Sequence, residues 1–447
     1  LTLRGPVEKL RDSQARALRG WNGVRNRSDV AIERSTGAGK TLVGLLIGQS
    51  LINELSRRVL FVCPTRQLVD QAKSRAVECG ITTSSYGGQA WEGEADYRDG
   101  RRLCLTNYAA VFYGKSIIAD PDVGALIFDD AHAAEPVLRD CFTLKIDRNH
   151  SLFDSLRDLI REDFTATSQS FEDAIAGDSS KTLFLPTFSA LAKADRVRGH
   201  LLNAGVDTDQ NTKFAWEHLK DQIEASMVCL SGRGIEFAPP VLPVHKLPYF
   251  ADTVRRIFLS ATSPSKVSFV RAFGAVPEPV SPGDQSREAE RLFVYPVGNN
   301  DAEQREETTR LIAPRKSCII VPNNRSATQW PETTILSSDK ASLSIDQFAA
   351  SKGEDKLLLV SRYDGIDLPG EACRVLVMDG LPRGESLVDR FIDETLKVVS
   401  LRAVRTAVRF NQAVGRIFRS ETDHGVVILC GVGLRSWLQS NLNRSYL

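Results

Sequence analysis

The sequence has no Cys-x-x-Cys pair: its eight cysteines, at 63, 79, 104, 141, 229, 318, 373 and 430, come no closer to one another than sixteen residues. That spacing excludes zinc ribbons and clustered iron–sulfur ligands. Cys63 ends the apolar run VLFVC and Cys430 the run VVILC, so the thiols are expected to be reduced, buried and structural. No apolar run approaches the roughly 18 residues of a membrane span, and the opening stretch LTLRGPVEKLRDSQ lacks the apolar core of a secretory signal. A cytoplasmic location is the expectation, and the absence of an initiating Met leaves room for a flanking domain. Charge of one sign is not in excess either. With 57 Lys plus Arg against 56 Asp plus Glu, a polyanion must be met by a local groove and not by a basic body.

What is present is a globular composition, 42% hydrophobic and 25% charged, which rules out a disordered chain. At roughly 150 residues per domain, 447 residues suggest about three units. Short apolar runs alternate with helix-period stretches in two regions, the pattern of parallel sheets covered by helices. The first holds Val30–Glu33, Val59–Cys63, Leu103–Thr106 and Ala125–Phe128, with Ile257–Ser260 far downstream; the second holds Cys318–Val321, Leu357–Val360, Val375–Met378 and Val426–Leu429. Between Phe128 and Ile257, Leu152, Phe153, Leu156, Leu159, Ile160 and Phe164 recur at helical spacing. This predicts a mostly helical insertion, ended by the Pro-rich connector Ala238–Pro243. The expected division is 1–132 with 251–280 for the first α/β domain, 133–250 for the insertion, 281–290 for a turn-rich linker and 291–447 for the second α/β domain.

The first strand runs into Ser35-Thr36-Gly37-Ala38-Gly39-Lys40-Thr41 and then the apolar helix-like LVGLLIGQSLI. In that setting backbone N–H groups face a phosphate, Lys40 neutralises it and the Thr41 hydroxyl can ligate magnesium. Arg34 stands where the strict phosphate-loop pattern has Gly. The strand ALIF later ends in Asp129-Asp130-Ala131-His132, which puts two carboxylates at a strand's C-terminal edge. Asp129 would hold the metal and Asp130 would polarise the attacking water. Taken alone, each of these segments also reads as an ordinary turn.

Their order is what discriminates. Ser260-Ala261-Thr262 follows the strand at 257–259, and Gln412-Ala413-Val414-Gly415-Arg416-Ile417-Phe418-Arg419 lies late in the second region. With Leu10-Arg11-Asp12-Ser13-Gln14, Pro64-Thr65-Arg66-Gln67-Leu68 and Asp364-Gly365-Ile366-Asp367-Leu368-Pro369, the chain resembles superfamily 2 helicases of the DEAD/DEAH type, with seven motifs in order between about residues 10 and 430. The resemblance implies two RecA-like P-loop NTPase domains with ATP and Mg2+ between them. Gln14 would read adenine, the loop from Ser35 to Thr41 would hold the phosphates, and Gly365 and Asp367 would contribute from the second domain. Gln412 would position water, and Arg416 and Arg419 would act as arginine fingers. Asp130 occupies the place where most of these enzymes carry Glu.

By the same resemblance Arg66, Gln67, Gly87, Gly88, Thr106, Asn107, Asn324, Arg325 and Arg362 would grip a nucleic-acid backbone. The bland alternatives are an ordinary turn at the glycines and helix N-caps at Asn107 and Asn324. The run from Ser361 to Gly370 and the large insertion look most like the XPD/DinG-like branch, but the interval between the phosphate loop and the acid pair has only Cys63, Cys79 and Cys104. A relative without the iron–sulfur cluster is therefore expected. The implied activity is an ATP-driven helicase or translocase, on single-stranded DNA in preference to RNA. The alternative is an ATP-gated clamp or scaffold in a larger assembly. A protein partner in a repair or antiphage-defence complex is part of the expectation, and a membrane is not.

Overall fold

The computed structural model describes residues 10–34, 39–87, 90–118, 120–179, 181–260, 266–280, 290–330, 334–336, 341–363, 368, 370–382, 386–415, 417–418 and 424–447. The first domain opens with the helix Asp12–Gly23 and then β1 (Asp29–Glu33), β2 (Arg58–Cys63), β3 (Thr83–Tyr86), β4 (Trp91–Glu92), β5 (Leu103–Asn107) and β6 (Val123–Phe128). The chain then leaves this sheet for β7 (Leu144–Asp147), β8 (Leu183–Leu185), β9 (Met227–Ser231) and β10 (Gly234–Ala238), and returns with β11 (Arg255–Ser260) and β12 (Glu278–Val280).

The resulting eight-stranded order is β12-β1-β11-β6-β2-β5-β3-β4. Every pairing is parallel except that of the two-residue β4. β2, β5 and β6 are buried along nearly their whole length, which is why they read as unbroken apolar runs. Beneath them lies the helix Lys40–Leu55, apolar around most of its circumference and buried at Leu42, Val43, Leu45, Leu46 and Ile47. Gly44 and Gly48 allow that close approach. A Cβ on Gly44 would lie 2.5 Å from Leu259 Cδ1 and 2.6 Å from Phe61 Cε2.

β7 to β10 form a separate antiparallel sheet, order β7-β10-β9-β8. The predicted stripe Leu152, Phe153, Leu156, Leu159, Ile160 and Phe164 is buried against it, with Leu144, Ile146, Leu230 and Ile235. The expectation of a mostly helical insertion is thus amended: its helices are built onto a four-stranded sheet. The core of this unit runs from Leu144 to Phe237, whereas Ala134, Leu138 and Cys141 before it, and Leu242 to Val254 after it, belong to the core of the first sheet.

The second domain has β13 (Glu290–Val294), β14 (Ser317–Val321), β15 (Thr334–Leu336), β16 (Lys356–Val360), β17 (Val375–Asp379) and β18 (His424–Cys430). They form an all-parallel sheet in the order β13-β18-β17-β14-β16-β15. Glu290, expected in the linker, begins β13, while 281–289 lie outside the described residues. The insertion rests on this domain. Leu387, Val388 and Phe391 pack with Cys229 and Ala238, the Phe184 and Phe391 rings stack at 4.8 Å, and Glu236 Oε2 accepts the Leu387 N–H at 2.7 Å.

Candidate nucleotide site

Parallel strands bring their C-terminal ends to one edge of a sheet, and ligands of open α/β sheets bind there. In the first sheet Glu33 is in register with Ser260, and Phe128 with Phe258 on one side and Val62 on the other. The segments following β1, β11, β6 and β2 are therefore neighbours. Asp129-Asp130 and Pro64-Thr65-Arg66-Gln67 follow β6 and β2 directly, whereas Ala261 and Thr262, after β11, lie outside the described residues.

Ser35, Thr36, Gly37 and Ala38 lie outside the described residues, but the frame on both sides is defined. Arg34 N donates to Ser260 O at 2.9 Å, extending the β1–β11 ladder. Gly39 has φ +74°, a left-handed conformation suited to glycine, and Lys40 begins the helix whose N–H groups point back at the loop. Lys40 is 8% exposed, and its Nζ lies 2.9 Å from Asp130 Oδ1. Thr41 Oγ1 donates to Asp129 Oδ2 at 3.3 Å. Asp129 is anchored through its backbone, with its N–H on Val62 O at 2.9 Å and its carbonyl accepting from Tyr108 Oη at 3.0 Å. Its Oδ1 accepts the Asp130 N–H at 3.1 Å, and Asp130 takes a left-handed φ of +48° that turns its carboxylate toward Lys40.

Burial, and then the neighbouring Asp130, hold the Asp129 carboxyl well above the usual carboxylate range, with Lys40 opposing. Such a carboxylate favours a cation beside it. A buried carboxylate and a hydroxyl 3.3 Å apart form a hard-oxygen pair of the kind that would hold magnesium. Among the described residues no group of three or more His, Cys, Asp or Glu is placed to hold a metal by itself. Burial pushes the pKa of His132 down to about 4, so its ring is neutral at neutral pH.

From the second domain, Gln412 is half-buried near the end of the helix Val399–Val414. Seven residues earlier, about 10 Å along the same face, Arg405 reaches the first domain, its Nη2 3.9 Å from Glu135 Oε1. Gln412 therefore lies on the helix face that, at Arg405, meets the first domain. Arg416, Arg419, Gly365 and Asp367 lie outside the described residues.

The other sequence candidates separate by exposure. Arg66 is exposed and Gln67 half-buried at the start of a helix capped by Thr65, whose Oγ1 accepts from Leu68 N at 3.3 Å. Gly87 follows β3, with nothing within 4 Å of where a Cβ would stand, and Gly88 is outside the described residues. Asn324 and Arg325 are exposed beyond β14, the cap of their short helix being Asn323. Arg362 is half-buried after β16.

Two expectations are corrected, and a third candidate, Gln14, is buried. Thr106 is fully buried and its Oγ1 donates to Tyr86 O at 3.0 Å, so its side chain cannot touch a strand of nucleic acid. Asn107 is 6% exposed and its Oδ1 accepts from Ala110 N at 2.8 Å, the helix-cap alternative. Gln14 is 3% exposed; its Oε1 accepts the Arg11 N–H at 3.0 Å, and its Nε2 sits 2.3 Å from where a Cβ on Gly39 would be. The residue thus packs against Gly39 at the start of the Lys40 helix.

Sequence reasoning passed over Arg34, Glu135 and Arg405. Arg34, 4% exposed, reaches Ser13 through both its carbonyl and its Oγ, tying the loop to the first helix. Only its departure from the glycine pattern marked it.

Two family models match the chain: "Type III restriction enzyme, res subunit" over residues 8–170 and "Helicase C-terminal domain" over 319–435. Among solved structures, Xpd4 of S. tokodaii is 16% identical with TM-score 0.58, covering 97% of this chain and 99% of that one. An XPD apo structure is 15% identical with TM-score 0.65, covering 98% and 99%. Dbp5 of S. cerevisiae, bound to RNA and ADP BeF3, is 13% identical with TM-score 0.55, covering 98% and 88%. No curated protein matches by sequence. The two α/β domains share the RecA-like fold of these structures, and the likeness spans nearly the whole chain.

Proposed function

We propose that this chain is a superfamily 2 helicase that hydrolyses ATP in the cleft between its two RecA-like domains and uses the cycle to move along single-stranded DNA in the cytoplasm. The observation that carries the reading is the convergence of Lys40, Thr41, Asp129 and Asp130 on adjoining strand ends; the second-domain helix that carries Gln412 meets the first domain at Arg405. Among the described residues no helix is long and apolar enough to cross a membrane.

Bound magnesium would be held by Thr41 and Asp129 and would supply charge neutralisation at the phosphates. The chain's own residues do the rest. Incoming phosphates draw Lys40 away from Asp130, and the freed carboxylate accepts a proton from the attacking water. Gln412, Arg416 and Arg419 complete the pocket only when the domains close. Arg66, Gln67, Asn324 and Arg325 support the track, since they flank strand ends on the same edges as the pocket. The restriction-enzyme description of the first family match favours DNA and a defence setting.

A second reading, an ATP-gated clamp without productive movement, draws on the Lys40–Asp130 ion pair and on the insertion docked across the second domain. Strand displacement measured beside ATP turnover separates the two. A motor couples both, with single-stranded DNA stimulating turnover, whereas a clamp shows turnover or retention on DNA with no displacement. Arg419→Ala is expected to depress turnover more than ATP binding, and equal losses would make that arginine structural.

A further inference from the structure

Beyond the nucleotide pocket lies a charge cluster that the reaction as described does not use. Glu135, on the helix Ala134–Cys141 that follows the acid pair, is 18% exposed in its side chain. Its Oε1 is 3.3 Å from Arg139 Nη2 and 2.8 Å from Arg271 Nη2. Arg271 is on the helix Lys266–Phe273, downstream of the Ser-Ala-Thr segment. Across the cleft, Arg405 places Nη2 3.9 Å from the same oxygen and Nη1 2.9 Å from Asp389 Oδ1 and 3.8 Å from Asp393 Oδ1. The Arg405, Asp389 and Asp393 side chains are 14%, 9% and 15% exposed.

Arg139 and Arg271 flank Glu135 on the first domain, while Arg405, with Arg402 and Arg409 also acting on Asp393, faces Asp389 and Asp393 on the second. Across the cleft the attraction is that of Arg405 for Glu135, and at this burial water screens it weakly. The contact joins the helix after the acid pair directly to the helix that carries Gln412, and Asp389 sits in the turn on which the insertion rests. A rigid helix transmits a shift at Arg405 to Gln412, about 10 Å along the same face.

We propose that Arg405 and Glu135 form an interdomain latch, with Arg405 the positioning residue that sets the Gln412 helix in register with Asp129 and Asp130 as the cleft closes. This rests on the reading of the cleft as an ATP site. The latch acts through alignment and touches neither nucleotide nor nucleic acid, so its loss lowers the turnover of the closed state and leaves binding to the open state alone.

The test is a double-mutant cycle on the full chain with Arg405→Ala, Glu135→Gln and the pair, measuring ATP turnover with and without single-stranded DNA, KM for ATP and the thermal midpoint. The latch predicts that each single variant lowers DNA-stimulated kcat about 5-fold or more, with KM for ATP unchanged within about twofold. The double variant falls no further than the worse single one. Glu135→Gln keeps the shape of the first domain and carries the test should Arg405→Ala unfold. Arg405→Lys, which keeps the charge and loses the planar fork, recovers part of the rate. Losses that add in the double variant, or that track the thermal midpoint, overturn the latch. A DNA-stimulated parent with variants that match it overturns the latch alone, whereas a parent without any DNA-stimulated turnover overturns the functional reading and the latch with it.

Discussion

Asp130→Asn should change ATP binding and ATP turnover in opposite directions, because Asp130 has two partners at different stages of the cycle. In the structure its carboxylate lies 2.9 Å from Lys40 Nζ, with the two side chains 26% and 9% exposed. That partial exposure limits the pair to about 1 kcal/mol of net stabilisation, and ATP must displace it to engage Lys40. Asn has nearly the shape of Asp but no charge, so it releases Lys40 and should tighten ATP binding about 5-fold, the equivalent of that 1 kcal/mol. The same change removes the base, so turnover should fall by roughly 10²-fold or more. A fluorescent-nucleotide titration reads the first effect and single-turnover hydrolysis the second. Normal turnover would falsify the base assignment, and weakened binding would show that Asp130 supports the Lys40 site instead of competing for it. Asp130→Glu restores the longer acid usual in the family and should keep activity; an inactive Asp130→Glu would mean that the pocket is built around the shorter side chain.

Gly44→Ala drives a Cβ to 2.5 Å from Leu259 Cδ1 and 2.6 Å from Phe61 Cε2. Overpacking of about 1–3 kcal/mol then outweighs the roughly 1 kcal/mol gain in helix propensity, so the thermal midpoint and ATP turnover should both drop. Gly23→Ala, with nothing within 4 Å, should lower neither. Asn107→Ala removes a helix cap and should cost about 1 kcal/mol of stability with DNA affinity unchanged, whereas Arg66→Ala should weaken DNA binding and flatten its salt dependence; the reverse pattern in a binding titration would restore Asn107 to the track. Replacing the insertion core, 144–237, with a short linker should spare ATP binding and damage strand displacement, and displacement that survives unchanged would reduce the insertion to decoration.

The parts of the fold legible in the sequence are those whose burial is continuous. Val59–Cys63, Leu103–Thr106 and Ala125–Phe128 are central strands covered on both faces, and they lie within two residues of the observed ends. Thr83–Tyr86, Glu278–Val280 and Glu290–Val294 are short or largely exposed, so no apolar run announces them. The insertion's sheet escaped notice because β9 and β10 are five residues each, joined by the turn Gly232-Arg233, while the stripe from Leu152 to Phe164 gave a strong helical period. In the site, Lys40, Thr41, Asp129 and Asp130 were readable because each follows a strand end in a fixed order. Thr106 and Asn107 were misjudged because sequence does not show that both side chains are spent on local backbone groups. Glu135 and Arg405 had no signature at all: they stand far apart in the chain, and only the docking of two domains brings them together.

The central claim is that ATP is hydrolysed at the Lys40–Asp129–Asp130 site and that single-stranded DNA drives the closure that completes it. Steady-state ATP turnover with magnesium, measured with and without single-stranded DNA for the parent and for Lys40→Ala, tests it most directly. The account predicts a DNA-stimulated rate in the parent that chelation of magnesium abolishes, and a Lys40→Ala protein that folds like the parent and has lost most turnover on or off DNA. Parent-like hydrolysis by Lys40→Ala, or a parent rate indifferent to DNA, would contradict it.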